Sequence, residues 1–349
     1  MTKKVPTLPE SPSVLIILMG ALGDVARGMC LLEPLRNRYP TSKITWLIEP
    51  KWKSFIELHS LVDEVLVFDR PRGMAAVLGL RQELRKRSFD VTLDLQRHLK
   101  SGLFSYLSGA PIRVGFAAKN AKEGNWLFQT HHIPPYEEGT SKVQHYLSFC
   151  DLLDAPSSHP LSFGLSVNEL VGLSFELLPE THSKMYFGLV LGSSWESKDW
   201  TPSGYLSLCH RLNKYQGGEI LLFGDSSQQE LASWLGERAR VTSFIGKTTV
   251  PQLASLIARC QVVIGPDSGP GHIASAVGTP MVPLFGPTDE RRVAPYGTDS
   301  LVVRTRVACA PCLKRKCPGL DKICMRLISV EDIIEKIDLA LQGETRLAR

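Results

Sequence analysis

No apolar run in the 349 residues reaches the roughly 18 that a membrane-spanning helix needs. The best candidate is Val14 to Gly23, a run of signal-peptide length with Lys3 and Lys4 ahead of it. Pro6, Pro9, Glu10 and Pro12 interrupt its approach, and it ends in Gly-Asp with no small-x-small cleavage site. It reads instead as a first buried β-strand, and the chain is expected in the cytoplasm. Internal repeats and long low-complexity segments are also lacking, which leaves ordinary globular domains. Net charge is small: 40 Lys and Arg against 35 Asp and Glu give +5, well short of a dedicated nucleic-acid coat. With 43% hydrophobic and 21% charged residues, a large core is available and general disorder is excluded. At roughly 100–200 residues per domain, the length implies two domains.

What charge there is sits unevenly. Residues 70–100 hold eight Lys or Arg against three acidic residues, and 304–326 hold seven against one. Such patches suit a phosphate-bearing or membrane-surface partner, or else they are solvated helix faces.

Short apolar runs alternate with helical patterns along the first half. Strands are expected at 14–19, 43–48, 65–68, 90–95 and 112–115, with helices at 28–39, 53–58, 73–86 and 101–107. Breakers follow at 154–160 and 179–183. The alternation then resumes, with strands at 186–191, 219–223, 242–244, 262–265 and 281–285. Helices are expected there at 202–215, 228–235, 250–258, 271–277 and, last, 330–341. Alternation of this kind argues for βαβ units around parallel sheets. Two successive series make the chain α/β, with two doubly wound domains, each binding ligands beyond the carboxyl ends of its strands.

Four loops carry the polar chemistry. Gly20-Ala21-Leu22-Gly23-Asp24 follows the first strand. It is not Gly-x-Gly-x-x-Gly, so a nicotinamide site has little support. Asp24 is either an N-cap for the helix expected at 28–39 or a carboxylate base at the cleft mouth. Ser193, Ser194 and Lys198 lie between a strand and a helix opened by Pro202; they make either a diphosphate site or a capped turn. In Gly265-Pro266-Asp267-Ser268-Gly269-Pro270-Gly271-His272, three glycines and two prolines precede an apolar helix whose first amides favour an anion. His272 there is either structural or a ligand contact. Gly286 and Thr288, after the strand at 281–285, form either a phosphate or sugar contact or a β-turn.

Taken in order, these loops resemble glycosyltransferase family 9, the bacterial heptosyltransferases. The matching pieces in the first half are Leu22-Gly23-Asp24-Val25, the stretch from Phe89 to Gln96, and Arg113-Val114-Gly115-Phe116. In the second half they are Lys198-Asp199-Trp200, the stretch from Asp267 to Ala274, and Phe285-Gly286-Pro287-Thr288. The Asp-Ser-Gly-Pro-x-His block is the most specific, and the resemblance runs over about residues 13 to 340.

The resemblance implies GT-B architecture, with two Rossmann-like domains facing a central cleft. An acceptor-binding domain would span 1–165 and a nucleotide-sugar domain 166–329. A helix and tail at 330–349 would pack back on the first domain. It implies an inverting transfer of heptose from ADP-heptose to the lipopolysaccharide inner core, on a Kdo-lipid A type acceptor at the inner-membrane surface, with no cofactor or catalytic metal. Asp24 would be the base and Lys198 would hold the donor phosphates. Ser193, Ser194, Gln228, Asp267, Ser268, Gly269, Gly271, His272 and Thr288 would complete the donor site. Gly23, Arg70, Gln96, Arg97 and Lys100 would face the acceptor. The alternatives are a relative using another nucleotide-sugar or acceptor, and a non-catalytic GT-B binding protein. The chain departs from the family at Ala21, where many members have Ser, at Arg27, and at 225–230, where the ribose contact is expected at Gln228.

Of eight cysteines, Cys30, Cys150, Cys209 and Cys260 lie in apolar surroundings and read as core. Cys309, Cys312, Cys317 and Cys324 are clustered amid Lys314, Arg315, Lys316, Lys322 and Arg326, whose charge would favour thiolates. Their spacing fits structural zinc, an iron–sulfur cluster or plain reduced thiols.

Overall fold

The computed structural model describes residues 7–158, 160–179, 184–215, 218–319 and 321–343. The chain divides into two compact units, Met1–Leu165 and Ser166–Arg349. The first holds β1 (Ser13–Ile17), β2 (Lys43–Ile48), β3 (Glu64–Val67), β4 (Val91–Asp94), β5 (Ile112–Gly115) and β6 (His131–His132). They pair in the order β3-β2-β1-β4-β5-β6, all parallel. The central strands are apolar on both faces, as a parallel sheet covered by helices requires. Ile16 lies opposite both Trp46 and Leu93, and all three are buried.

The second unit holds β7 (Met185–Val190), β8 (Gly218–Phe223), β9 (Thr242–Ser243), β10 (Val262–Pro266), β11 (Met281–Phe285) and β12 (Val303–Arg304). Its order is β12-β11-β10-β7-β8-β9, again all parallel. Counted from its own first strand, this is the order of the first unit. In each sheet the strand order reverses at one point, between β1 and β4 and between β7 and β10. Ligands of doubly wound sheets bind in the crevice at that reversal. The loops leaving those four strands are the ones that carry Asp24, Gln96, Lys198 and Asp267.

The expectation for the helix after β1 is corrected. The helix after β1 runs Leu22–Gly28, gives way to a 3-10 turn at Met29–Leu31 and resumes at Leu32–Arg38. Gly28 does not open a helix. A Cβ there would lie 2.5 Å from Leu18 Cδ2, so the glycine permits close packing of the helix on the sheet. Asp24 therefore sits inside the first turn and is not an N-cap. The last helix, Val330–Leu341, is part of the second unit. Its Ile333, Ile334, Ile337 and Ala340 are buried in the second unit's own core, beside Leu208, Leu284 and Leu301. The residues 180–183 within one expected breaker, and the tail at 344–349, lie outside the described residues.

Candidate functional site

Asp24 lies in the first turn of the helix that follows β1, where a carboxylate favours the helix dipole. Gly23 beside it is buried. Arg27 Nη2, one turn on, donates to Asp24 Oδ1, and Lys142 Nζ donates to the same oxygen at 2.7 Å. The Arg27 side chain is 7% exposed, while Asp24 and Lys142 are 23% exposed. Burial alone would raise the Asp24 carboxyl; the Arg27 guanidinium and Lys142 ammonium outweigh it and hold the group well below the usual carboxylate range.

Asp94 ends β4 with no exposed surface. Its Oδ1 accepts from Gln96 N at 3.0 Å, and its Oδ2 accepts from Asn125 Nδ2 at 2.7 Å and Gln129 Nε2 at 3.0 Å. Burial pushes its pKa up to about 7 against the pull of these donors and of Ser101. Gln96 Nε2 in turn donates to Gly20 O at 3.3 Å, tying the loop after β4 to the loop that carries Asp24. Arg97 Nη1 donates to the Tyr136 hydroxyl at 3.2 Å. Lys100 sits 5.1 Å from the Phe68 ring centre, and burial, then the Arg70 charge, lower its pKa. The expected acceptor-side residues Gly23, Gln96, Arg97, Lys100 and the exposed Arg70 thus gather at the carboxyl end of the first sheet.

Sequence reading missed Lys142. It opens the helix Lys142–Leu152, capped by the Ser141 hydroxyl, which accepts from Val143 N at 3.3 Å. That helix had a legible signal, since Val143, Tyr146, Phe149 and Cys150 form one buried stripe behind a serine cap.

In the second unit the Ser193 hydroxyl donates to Trp195 O at 3.0 Å, and Ser193 N donates to Asp199 Oδ1 at 3.0 Å, so both groups close the turn. Ser194 is exposed. Lys198 is buried, with Nζ 2.7 Å from Asp267 Oδ2, 3.2 Å from Asp267 O and 4.5 Å from the Trp195 ring centre. His272 Nε2 is 3.9 Å from Asp267 Oδ1. Burial would raise the Asp267 carboxyl, but His272 and Lys198 prevail and hold it well below the usual range. Ser268 stands at the N-cap of the helix Gly269–Ala276, yet its hydroxyl donates to Pro266 O at 3.1 Å and caps nothing in the helix. The helix's first amides are thus left without a side-chain cap, as an anion site requires. Gly271 lets the helix approach β11, where a Cβ would lie 3.1 Å from Met281 Cε. Thr288, after β11, is buried, and its hydroxyl has no hydrogen-bond partner among the described residues.

Gln228 Oε1 accepts from Asp225 N at 2.9 Å, completing a capping box, and the side chain lies over Gly192. It therefore adjoins the Ser193 turn while serving its own loop.

Among the described residues no group of three or more His, Cys, Asp or Glu side chains is placed to hold an ion. Cys324 is turned inward, where a Cβ on Gly286 would lie 2.8 Å from its Sγ, while Cys309 is exposed. Burial, reinforced by the neighbouring thiols, raises the Cys324 thiol, the reverse of the thiolate expected from nearby lysines and arginines. The segment braces the loops that follow β7 and β11. Ser197 Oγ donates to Lys314 O at 2.6 Å, Ser197 N to Arg315 O at 3.1 Å, and Leu313 N to Pro287 O at 2.8 Å. Cys30, Cys150, Cys209 and Cys260 are buried core residues. No helix among the described residues is long and apolar enough to cross a membrane.

The model of glycosyltransferase family 9 (heptosyltransferase) matches residues 77–322. The lipopolysaccharide core heptosyltransferase OpsX of Haemophilus influenzae is 26% identical over 307 residues, covering 85% of this chain and 86% of that protein. Among solved structures, a family 9 glycosyl transferase from Veillonella parvula superposes with a TM-score of 0.78 at 20% identity, over 95% of this chain and 98% of the other. The E. coli heptosyltransferase WaaC, solved with ADP-2-deoxy-2-fluoro heptose, gives 0.74 at 21% identity, over 94% and 99%. The fold is thus the expected GT-B type, built from two Rossmann-like domains. With the family model matched over well more than half its length, the chain belongs to glycosyltransferase family 9 and is a glycosyltransferase of the heptosyltransferase kind.

Proposed function

We propose that this enzyme transfers a heptose from ADP-heptose to the lipopolysaccharide inner core, on an acceptor of the Kdo-lipid A type, with inversion at the anomeric carbon. One observation carries the donor half. The buried Lys198 ammonium, fixed by Asp267, lies beside the uncapped amides that open the helix Gly269–Ala276. Cation and amides together suit a diphosphate, and they take up the charge that develops on it as it leaves. No metal is called on for that charge. Asp267 and His272 set the position of the ammonium, and the Thr288 hydroxyl is available to a phosphate or sugar oxygen.

The acceptor half rests on Asp24. Its carboxylate takes the proton of an acceptor hydroxyl as that oxygen forms a bond to the anomeric carbon. The bond from that carbon to the phosphate oxygen breaks with its electron pair, and ADP departs. Attack opposite the leaving group gives inversion. Arg70, Arg97 and Lys100 lie on the acceptor side and suit phosphates at a membrane surface. The likeness to a heptosyltransferase solved with an ADP-heptose analogue supports the choice of donor.

Calorimetric titration with ADP, UDP and GDP tests the donor reading, with transfer from ADP-heptose to the lipid acceptor as the second stage. ADP preference together with transfer is expected. Preference for UDP or GDP would keep the transferase and discard the heptose donor.

A further inference from the structure

Ten large apolar side chains among the described residues are exposed, and six of them fall on one part of the first unit. Met74 and Leu78 lie on the helix Gly73–Arg85, Leu99 and Tyr106 on the helix Leu99–Leu107, and Trp126 and Leu127 on the turn Asn125–Phe128. These three elements are neighbours. The two helices bury Leu80, Leu84 and Phe104 in one core, which fixes their inner faces. Met74 and Leu127, 71% and 68% exposed, stand in solvent. On the first helix Met74, Leu78, Arg81 and Arg85 recur at steps of four, three and four residues, which places them on one exposed stripe. Arg85 sets the direction of that stripe. A Cβ on Gly109, just past the second helix, would lie 2.9 Å from its Nη1. The stripe therefore flanks the helix Leu99–Leu107. Tyr106 carries the surface on to the turn, its ring centre 6.4 Å from that of Phe128.

Along the stripe the unpaired charge is positive. Arg70 and Arg72, in the turn ahead of the first helix, and Arg81 and Arg85 within it are exposed, and no acidic side chain among the described residues pairs with any of the four. Glu83, on the same helix, is taken up by Lys86 and Arg87. Glu123, beside the second helix, is held by Leu99 N at 3.1 Å and by His98. A second copy of this chain set on the same stripe would bring arginines against arginines. Apolar side chains interleaved with arginines suit instead a surface that is anionic outside and apolar beneath. We propose that this face docks on an anionic phospholipid bilayer: Met74, Leu78 and Leu127 enter the boundary between headgroups and acyl chains, and the four arginines meet lipid phosphates. The face borders the carboxyl end of the first sheet, where Arg70 and Lys100 gather, so docking sets the acceptor side against the bilayer. That purpose rests on the proposed lipid acceptor; docking itself needs neither donor nor acceptor.

Co-sedimentation of the full chain with sucrose-loaded vesicles tests this, with phosphatidylcholine alone and with phosphatidylglycerol added. The chain should bind the anionic vesicles, and salt should weaken the binding. Met74→Ser/Leu78→Ser should lose about tenfold in partitioning through lost apolar burial. Arg81→Gln/Arg85→Gln should lose about thirtyfold, as two charges leave an anionic surface. Leu327→Ser changes a leucine of the second unit that is similarly exposed to Leu78, and it should lose nothing. Far-UV dichroism and melting of each variant establish that it is folded. Equal binding to both kinds of vesicle, unchanged partitioning in both double variants, or an equal loss in Leu327→Ser would overturn the inference. Self-association in place of vesicle binding, abolished by Met74→Ser/Leu78→Ser, would also overturn it, since a second copy would then be the occupant. The vesicles carry no glycolipid and no nucleotide-sugar. Docking as expected, together with ADP binding but no heptose transfer, would overturn the functional reading and leave the docking face in place.

Discussion

In the first unit one carboxylate, Asp24, sits between two cations at the reversal point of the sheet; in the second, one ammonium, Lys198, is locked to a carboxylate backed by an imidazole at the equivalent point. The strand order is the same in both. The difference lies in burial and charge balance. Asp24 and Lys142 are 23% exposed, whereas Lys198 and Asp267 are 11% and 9% exposed. A partly exposed ion pair exchanges partners readily, while a buried one is held because breaking it strands a charge. One fold thus presents an adjustable carboxylate at one sheet and a fixed cation at the other. Proton abstraction needs the former, and anchoring a diphosphate needs the latter.

The largest effect expected on this contrast is Asp24→Asn. It removes the proposed base but leaves the second unit intact, so transfer should fall by about a thousandfold or more while ADP affinity is retained. A variant losing both in proportion would show that the two sites do not divide the work as argued.

A second large effect belongs to Asp94, the buried carboxyl behind the acceptor-side loop. Its pKa stands at about 7 in the folded chain against an ordinary value of 3.8. A carboxyl raised by folding contributes stability that is full below pH 4 and is lost as pH rises through its folded pKa. The shift corresponds to roughly 4 kcal/mol at its limit. His59, lowered by burial, works the other way as its imidazole charges on acidification. Urea unfolding of wild type and Asp94→Asn between about pH 5 and pH 8 separates the two, because only the Asp94 contribution disappears in the variant. Parallel curves for the two proteins would mean that Asp94 is charged throughout. Asp24 and Asp267, both held well below the usual range, lose their contributions only as pH falls below the ordinary carboxylate range.

Lys198→Ala is the third. It removes the proposed phosphate cation and should weaken ADP about thirtyfold in calorimetry, roughly 2 kcal/mol. Lys142→Met, in the other unit, should leave ADP affinity as it is. An ADP affinity equal to wild type in Lys198→Ala would assign the ammonium to structure alone.

Strand alternation, with the glycines and prolines that punctuate it, made the two βα series readable, and the switch-point loops stood out because their polar residues interrupt apolar runs. β6 and β12, two residues each, are too short to show a period. The partners of the site residues were less legible because they arrive from distant positions. Lys142 meets Asp24 across 118 positions, and Asn125 and Gln129 reach Asp94 across 31 and 35. Local spacing carries no signal for such pairs. The cysteine spacing does bring the thiols near one another, since Cys309, Cys312 and Cys317 all act on Cys324, but spacing alone does not orient the side chains, and Cys324 packs under Gly286.

The smallest effect is the most discriminating for the second unit. Thr288 keeps a buried hydroxyl that no described group satisfies, although the residue is only 7% exposed. A buried hydroxyl with no partner costs free energy in the unliganded protein, so a role in binding is the natural reason to place one there. Thr288→Val keeps the shape and removes the hydroxyl. Stability of the ligand-free protein should hold or rise by up to about 1 kcal/mol, since the unsatisfied group is gone. ADP-heptose or ADP affinity should fall about fivefold, near 1 kcal/mol, if that hydroxyl meets a phosphate or sugar oxygen. Urea unfolding and calorimetry on the same variant read the two changes separately. Lower stability with unchanged affinity would make Thr288 a packing residue. It would also leave the donor site to Lys198 and the amides of the helix Gly269–Ala276, with the fixed cation of the second unit carrying more of the contrast with the first.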